Sequence, residues 1–483
     1  MESNNSRFLG EYSWDTVCLK EISLKIGSGS TPRGGESAYI PERKKFAFIR
    51  SQNVYDFKFD VSGLRFISDE DANKLKGVHL QKDDVLINIT GDGVTFSRCC
   101  LVPEEILPAA VNQHVAIIRL DKSKCLPGYL MAYLCLPETK AYIESFNAGG
   151  SRRAITKGHI ESFEISLPPM LIQEHISRVT LGLLAKQSIN TQINQTLEQM
   201  AQALFKSWFV DFDPVVDNAL DAGFFEQDLE FSDELLRRAE ARKAARENAD
   251  FKPLSEDIRQ LFPAAFEEGV EPSVGINGWI PKGWFIAPLD NIANFQNGLA
   301  LQKFRPDSDE DEYLPVLKIA QLRQGYCDNN ERARIDLKES CRVYNGDMIF
   351  SWSGTLMTDI WTGGNAALNQ HLYKVTSSKY PLSFYFHWTN HHLVRFQHIA
   401  AAKAVTMGHI KKGDLSDSFC VVPKNQTLAY FDSIAGAYLE QAKNVRLQCN
   451  TLVKLRDCLL PKLISGELCL EELEAKLTSE SVV

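Results

Sequence analysis

Two cation-bearing loops stand at corresponding points of the chain. "AGGSRRAITKGHI" (Ala148 to Ile160) sets Arg152, Arg153 and Lys157 among glycines, and "AAAKAVTMGHIKK" (Ala400 to Lys412) sets Lys403, Lys411 and Lys412 in the matching place. Guanidinium and ammonium groups on pliable backbone suit phosphate oxygens. A charge cluster is ordinarily a solvated face, but its recurrence favours a shared role. "GSGSTPRGG" (Gly27 to Gly35) adds main-chain amides, the hydroxyls of Ser28, Ser30 and Thr31, and Arg33. Asn and Gln can read adenine through two hydrogen bonds, which draws attention to Asn112-Gln113-His114 and Asn369-Gln370-His371. If the two halves of the chain read different sequences, residues identical in both belong to the scaffold. Discrimination belongs where matched loops differ: Gln52, Asn53, Thr90, Asp92 and Arg98 in the first half, and Lys318, Gln321, Arg323, Ser353 and Thr355 in the second.

Chemistry that would break or make covalent bonds has no comparable signature. There is no GxxxxGK phosphate loop followed by Ser or Thr, no HExxH and no Asn/Asp-Pro-Pro-aromatic tetrapeptide. Gly91-Asp92-Gly93 and Gly27-Ser28-Gly29 are turns that do not complete GxGxxG. His387, His391 and His392 in "HWTNHH" have spacing that a metal could use, yet no acidic third ligand follows, and Trp388 points to a packed helix. No catalytic residue and no bound metal are expected.

The elements that must hold these loops repeat. Trp14, Leu19 and Ile22 precede Trp284, Leu289 and Ile292 by 270 residues; "DVLINITGDG" (Asp84 to Gly93) answers to "DMIFSWSGTL" (Asp347 to Leu356), and Gly158-His159-Ile160 to Gly408-His409-Ile410. Such internal similarity is the signature of a duplicated unit. Short strands are expected at "FAFIRSQNV", "DVLINIT", "HVAIIRL" and "FEISLPP", and again at "YLPVLKIAQL", "DMIFSWS", "HLYKVTS" and "DSFCVVP". Each half then ends in a heptad-like seam: Ile172, Ile176, Val179, Leu183, Lys186, Asn190, Ile193, Leu197, Met200 and Leu204, and Phe431, Ile434, Tyr438, Gln441, Val445, Gln448, Leu452, Leu455 and Leu459. The simplest way to bury both is to pair them antiparallel, polar seam residues fixing the register. The expected class is mixed α/β: two repeated α+β domains and two long antiparallel coiled-coil helices.

Length and charge agree with this. A chain of 483 residues suits two or three domains, and its composition is that of a globular protein without an 18-residue apolar run. The scattered cysteines and an N-terminus unlike a secretory signal lead us to expect a cytoplasmic location. Residues 206–275 hold 17 acidic and 8 basic side chains, which accounts for the whole formal charge of -9; the rest balances at 45 against 45. The flanking domains are therefore free to carry basic patches.

"QTLEQMAQALFKSWFVDFDPV" (Gln195 to Val215), "LFPAAFEE" (Leu261 to Glu268), "GWIPKGW" (Gly278 to Trp284), the "LPP" before the first helix and "LRDCLLPKLISGEL" (Leu455 to Leu468) resemble the DNA-specificity subunit of type I restriction-modification enzymes. The resemblance implies target-recognition domains at residues 1–169 and 279–424, spacer helices at 170–207 and 425–465, an acidic connector at 208–278 and a tail at 466–483. It implies a chain without catalysis that reads a bipartite site on double-stranded DNA. Two methyltransferase subunits, using S-adenosylmethionine on adenine, and two restriction subunits, using ATP and Mg, would act on that DNA. Phe205, Trp208, Phe209 and Phe212 would be exposed anchors for a partner, the alternative being that they fold back onto the connector. The charged stretch 230–251 departs from the family outline and gains no role from it. Two rival readings are a self-contained DNA-modifying enzyme and a protein-only scaffold with degenerate recognition domains.

Overall fold

The computed structural model describes residues 14–147, 153–308, 310–402 and 408–468. The chain divides into two compact units, residues 1–188 with 451–483, and residues 189–450. Among the described residues no helix is long and apolar enough to cross a membrane.

In the first unit, the strands Cys99–Leu101, Val85–Asn88, Val115–Leu120 and Ser23–Ser28 form an antiparallel sheet in that order. Alternation along Val85–Asn88 decides how the layers stack, because successive side chains leave a strand on opposite faces. Val85 and Ile87 join one apolar core with Leu130 and Leu134 of a helix, Pro127–Leu134. Leu86 joins another core with Ala47, Ile49 and Val111, which belong to a second four-stranded sheet. The second sheet contains a parallel pair, Ala109–Val111 beside Phe46–Ile49.

The second unit repeats this plan. Asn294–Asn297, Leu372–Thr376, Met348–Ser351 and Met357–Ile360 make the matching sheet, and a parallel pair, Tyr313–Leu317 with Ala366–Leu368, lies in the other. Met348 and Phe350 enter one core while Ile349 enters another, as in the first repeat. Asp15–Cys18 pairs with Glu164–Leu167 in the first unit, and Phe285–Pro288 pairs with Phe419–Val422 in the second. The two closures place residue 165 in the role of 420, an offset of 255. That offset corrects the expected match of the two Gly-His-Ile triplets. Ile155 N–H donates to Ile89 O (3.0 Å) where Ile410 N–H donates to Trp352 O (3.1 Å), so Ala154-Ile155-Thr156 is the counterpart of His409-Ile410-Lys411. A three-residue identity five positions out of register outweighed a true match that carries one identity.

Helix α1 (Met170–Phe205) follows Pro168-Pro169, and the last helix of the chain is Asn425–Ser465. Residues 189–205 and 425–450 pair antiparallel within the second unit: Asn190 Nδ2 lies 3.4 Å from Gln448 Oε1, and the Phe205 ring lies 6.3 Å from that of Phe431. The seam itself is not the expected one. Ile176, Asn190 and Leu197 are buried as expected, but Ile193 is 37% and Met200 45% exposed, whereas Thr180 and Ala201 are fully buried. The last helix does the same, with Ala435 and Ala442 inside and Leu455 43% exposed. Alternate seam positions therefore lie one residue further along both helices. Small side chains let the backbones approach closely, and a reading that ranks residues by hydrophobicity prefers their larger neighbours.

The connector belongs to the second unit's core. After a π-helical turn, Lys206–Val210, and Phe212 in the left-handed region (φ 53°), the chain enters α2 (Asp213–Asp221) and α3 (Asp233–Arg246). Asp213, Asp217 and Asp221 recur every fourth residue on α2, as do Arg238, Arg242 and Arg246 on α3, so each series forms one helical stripe. The stripes meet: Arg238 reaches Asp213 (2.9 Å) and Asp211 (2.7 Å), Arg242 pairs with Asp217, and Arg246 reaches Asp221 (2.5 Å). Arg259 also pairs with Asp221, whose carboxyl is held below its usual range chiefly by Arg246. The charged stretch 230–251 thus clamps the connector to itself.

Candidate nucleic-acid interface

A tight turn recurs at the same edge of both repeats. Asn112 N–H donates to Ile49 O (3.0 Å) and Asn369 N–H to Leu317 O (3.1 Å), while their side-chain oxygens accept from the amides of His114 (3.1 Å) and His371 (3.2 Å). Gly29 and Gly298 press on these turns: a Cβ on either would lie 2.0 or 2.3 Å from Asn112 O or Asn369 O. Asn112 and Asn369 are buried, which makes them scaffold. The histidines then fix the next loop, since Nδ1 of His114 meets Thr90 Oγ1 at 2.6 Å and Nδ1 of His371 meets Ser353 Oγ at 3.1 Å. In both repeats the Gln amide nitrogen lies 3.4 Å from the His Nε2. Gln113 is exposed and its amide oxygen takes the Thr31 hydroxyl, so this residue, set aside as scaffold from the sequence, sits among the contact candidates.

Around the first turn, Thr90-Gly91 pairs with Arg153-Ala154, which brings Thr31, Thr90, Gln113 and Arg153 to one edge. Ser28, Ser30, Arg33 and Gln52 are exposed. Asp92 is exposed too, but its carboxylate accepts from the Thr95 hydroxyl (2.7 Å), the Thr95 amide (2.8 Å) and the Val94 amide (3.1 Å), which hold it below the usual carboxylate range. It shapes a turn. Asn53 is fully buried: it accepts from Arg50 N–H (3.0 Å) and donates to Asp60 O (2.9 Å) and Ser62 O (3.3 Å). Its expected place in base readout is therefore corrected to an internal brace. Arg98 stacks on Tyr55 (4.2 Å), Arg153 pairs with Glu144 and Lys157 with Glu161 (3.4 Å). These pairs are partly exposed and weak, so phosphate can displace them.

In the second unit, Arg323, Thr355 and Lys411 are exposed, Lys318 pairs with Glu331, and Gln321 Nε2 lies 3.4 Å from Asp328 Oδ2. Ser353 is 3% exposed and bonded to His371, so it too supports the loop instead of meeting solvent. Trp352, which the sequence reading passed over, lies between His371 (5.9 Å) and His409 (6.3 Å), its indole N–H donating to Asn297 Oδ1 (3.1 Å). Only its place next to Ser353 in the repeat could have signalled it. Arg152 and Lys403 lie outside the described residues.

Phe205, Trp208, Phe209 and Phe212 are 2, 3, 0 and 0% exposed, which corrects their expected role as surface anchors. They pack on Phe431, Phe262, Trp284 and Phe266 of the same unit. The histidines of "HWTNHH" line the same core. His387 stacks on Phe205 (5.3 Å), and burial lowers its pKa to about 4; His392 stacks on Trp388 (5.8 Å), and burial lowers its pKa to about 3.

The chain is similar to the HindI specificity subunit of Haemophilus influenzae, a type I restriction enzyme component, with 24% identity over 473 residues, 94% of this chain and 99% of the relative. It is equally similar to the MjaIX specificity subunit of Methanocaldococcus jannaschii, at 24% over 475 residues, 95% and 94%. Among solved structures, an S subunit of a type I restriction-modification system from M. genitalium aligns over 96% of this chain and 98% of that one, with 10% identity and a TM-score of 0.42. The family model described as the type I restriction modification DNA specificity domain matches residues 11–199 and 281–427. These matches take in both repeats, and the chain belongs to that family, as a non-catalytic DNA-recognition subunit that assembles with other subunits.

Proposed function

We propose that this chain reads a bipartite target on double-stranded DNA, each repeat addressing one half, and presents it to separate catalytic subunits. Two methyltransferase subunits would transfer a methyl group from S-adenosylmethionine to adenine. Two restriction subunits, driven by ATP with Mg, would cut unmodified sites in the cytoplasm. The observation that carries this reading is the recurrence of one Asn-Gln-His turn, with the same backbone acceptors and the same hydroxyl clasp, beneath loops that differ. A duplicated frame with unlike loops suits two unlike half-sites, and the paired helices would set the distance between them. The test is to replace residues 14–165 by another recognition domain and map methyladenine across the host genome. One half of a split motif should change while the other half and the spacer stay; a change in both halves would refute the division of labour.

A further inference from the structure

One apolar side chain stands out on the first repeat's polar edge. Val94 is 69% exposed in a turn bounded by Gly91, Gly93 and Thr95. The turn is held on every side. Asp92 accepts from the amides of Val94 and Thr95, Phe96 N–H donates to Asp92 O (3.2 Å), Asn88 Nδ2 donates to Thr95 O (3.0 Å), and Phe96 is buried beneath. A Cβ at Gly93 would lie 2.3 Å from Arg153 Nη1, so the turn also rests against that guanidinium. A side chain displayed on so fixed a turn loses little further entropy on contact.

The second repeat has no such turn. From Thr90 to the strand residue Cys99, which faces Ile87, the chain takes nine steps; from Ser353 to Thr358, which faces Phe350 at the equivalent place, it takes five. The four extra residues are a feature of the first repeat alone. A difference of this kind between otherwise equivalent edges suits discrimination. The polar neighbours Thr31, Gln113 and Arg153 can meet phosphates and hydrogen-bonding base edges. An isopropyl group can meet one apolar feature of the major groove, the thymine C5 methyl. Val is too short for the wedging that longer apolar side chains perform between base steps.

We propose that Val94 reads the methyl group of one thymine in the half-site addressed by the first repeat. The proposal rests on the DNA-recognition reading above. The test uses the complex purified with its co-expressed partner subunits, and duplexes of the mapped target in which each thymine of that half, on either strand, is replaced in turn by uracil. One replacement should weaken binding about fourfold, the value of one buried methyl-sized group. With Val94→Ala the same replacement should have no effect. The assignment is overturned if that half-site contains no thymine, if every replacement is silent, or if the uracil effect persists in Val94→Ala. A complex that binds none of these duplexes overturns the proposed function as well, whereas normal binding with silent replacements leaves that function standing.

Discussion

Replacing His387 by Phe should make the second unit less sensitive to acid. His387 is 3% exposed, stacked on Phe205, and its Nε2 has no hydrogen-bond partner among the described residues. An imidazolium there would lose its hydration and gain nothing, which is why the pKa falls from 6.5 to about 4. The unfolded chain takes up this proton near pH 6.5, the folded chain only near pH 4. Stability from this group is therefore complete above pH 6.5 and declines as pH falls toward 4, by about 1.4 kcal/mol per pH unit. Phe fills a similar volume and does not titrate. Between pH 6.5 and 5 the wild-type chain should lose roughly 2 kcal/mol more than His387→Phe. Urea unfolding followed by tryptophan fluorescence suits the measurement, because Trp208, Trp279, Trp284, Trp352, Trp361 and Trp388 lie in the second unit and only Trp14 in the first. His391 and His392 remain in both proteins, so the difference isolates one residue. Parallel pH profiles for the two would refute the reasoning.

Three further outcomes follow from contacts described above. Asp217→Ala leaves Arg242, whose side chain is only 20% exposed, with the longer ion pair to Asp213 (3.8 Å) alone, and should cost about 1 kcal/mol in thermal unfolding, with Asp217→Ala/Arg242→Ala recovering part of it; a coupling below about 0.5 kcal/mol would show that this pair contributes nothing. Gly29→Ala should abolish recognition through the first repeat and Gly298→Ala through the second, each costing about 2 kcal/mol or more, while Gly27→Ala, whose Cβ meets nothing within 4 Å, should be silent. Full recognition in Gly29→Ala would mean that the turn gives way. Arg153→Ala should lower the slope of log affinity against log salt by about 0.9, and an unchanged slope would mean that it does not touch phosphate.

Much of the frame could be read from side chains alone. The 270-residue offset of Trp14, Leu19 and Ile22 survives as paired strands and matching helical turns, because large apolar residues record burial directly. The helix seams were half legible: leucine and isoleucine marked one set of positions, while the other set is occupied by Thr180, Ala201, Ala435 and Ala442, which hydropathy does not distinguish from surface residues. The aromatic end of α1 misled because exposure depends on what lies opposite, here Phe262, Trp284 and Phe431 from distant parts of the chain. Asn53 and Ser353 misled for the same reason: an amide or hydroxyl spent on neighbouring backbone looks like one offered to a ligand. The Arg and Asp stripes of residues 213–246 were visible as spacing, but only packing shows that they face each other.

That clamp also redistributes the chain's electrostatic field. Asp211, Asp213, Asp217 and Asp221 are matched by Arg238, Arg242, Arg246 and Arg259, which leaves thirteen acidic and four basic side chains in residues 206–275 to carry the charge of -9. Half of the eight cations that could have softened this surface are spent within the clamp. A polyanion drifting toward the second unit meets repulsion from its connector side, within a screening distance of about 8 Å at physiological salt, and attraction only where cations such as Arg323 and Lys411 remain exposed. The connector acts as an electrostatic fender, biasing the orientation in which a duplex first arrives before any base is read.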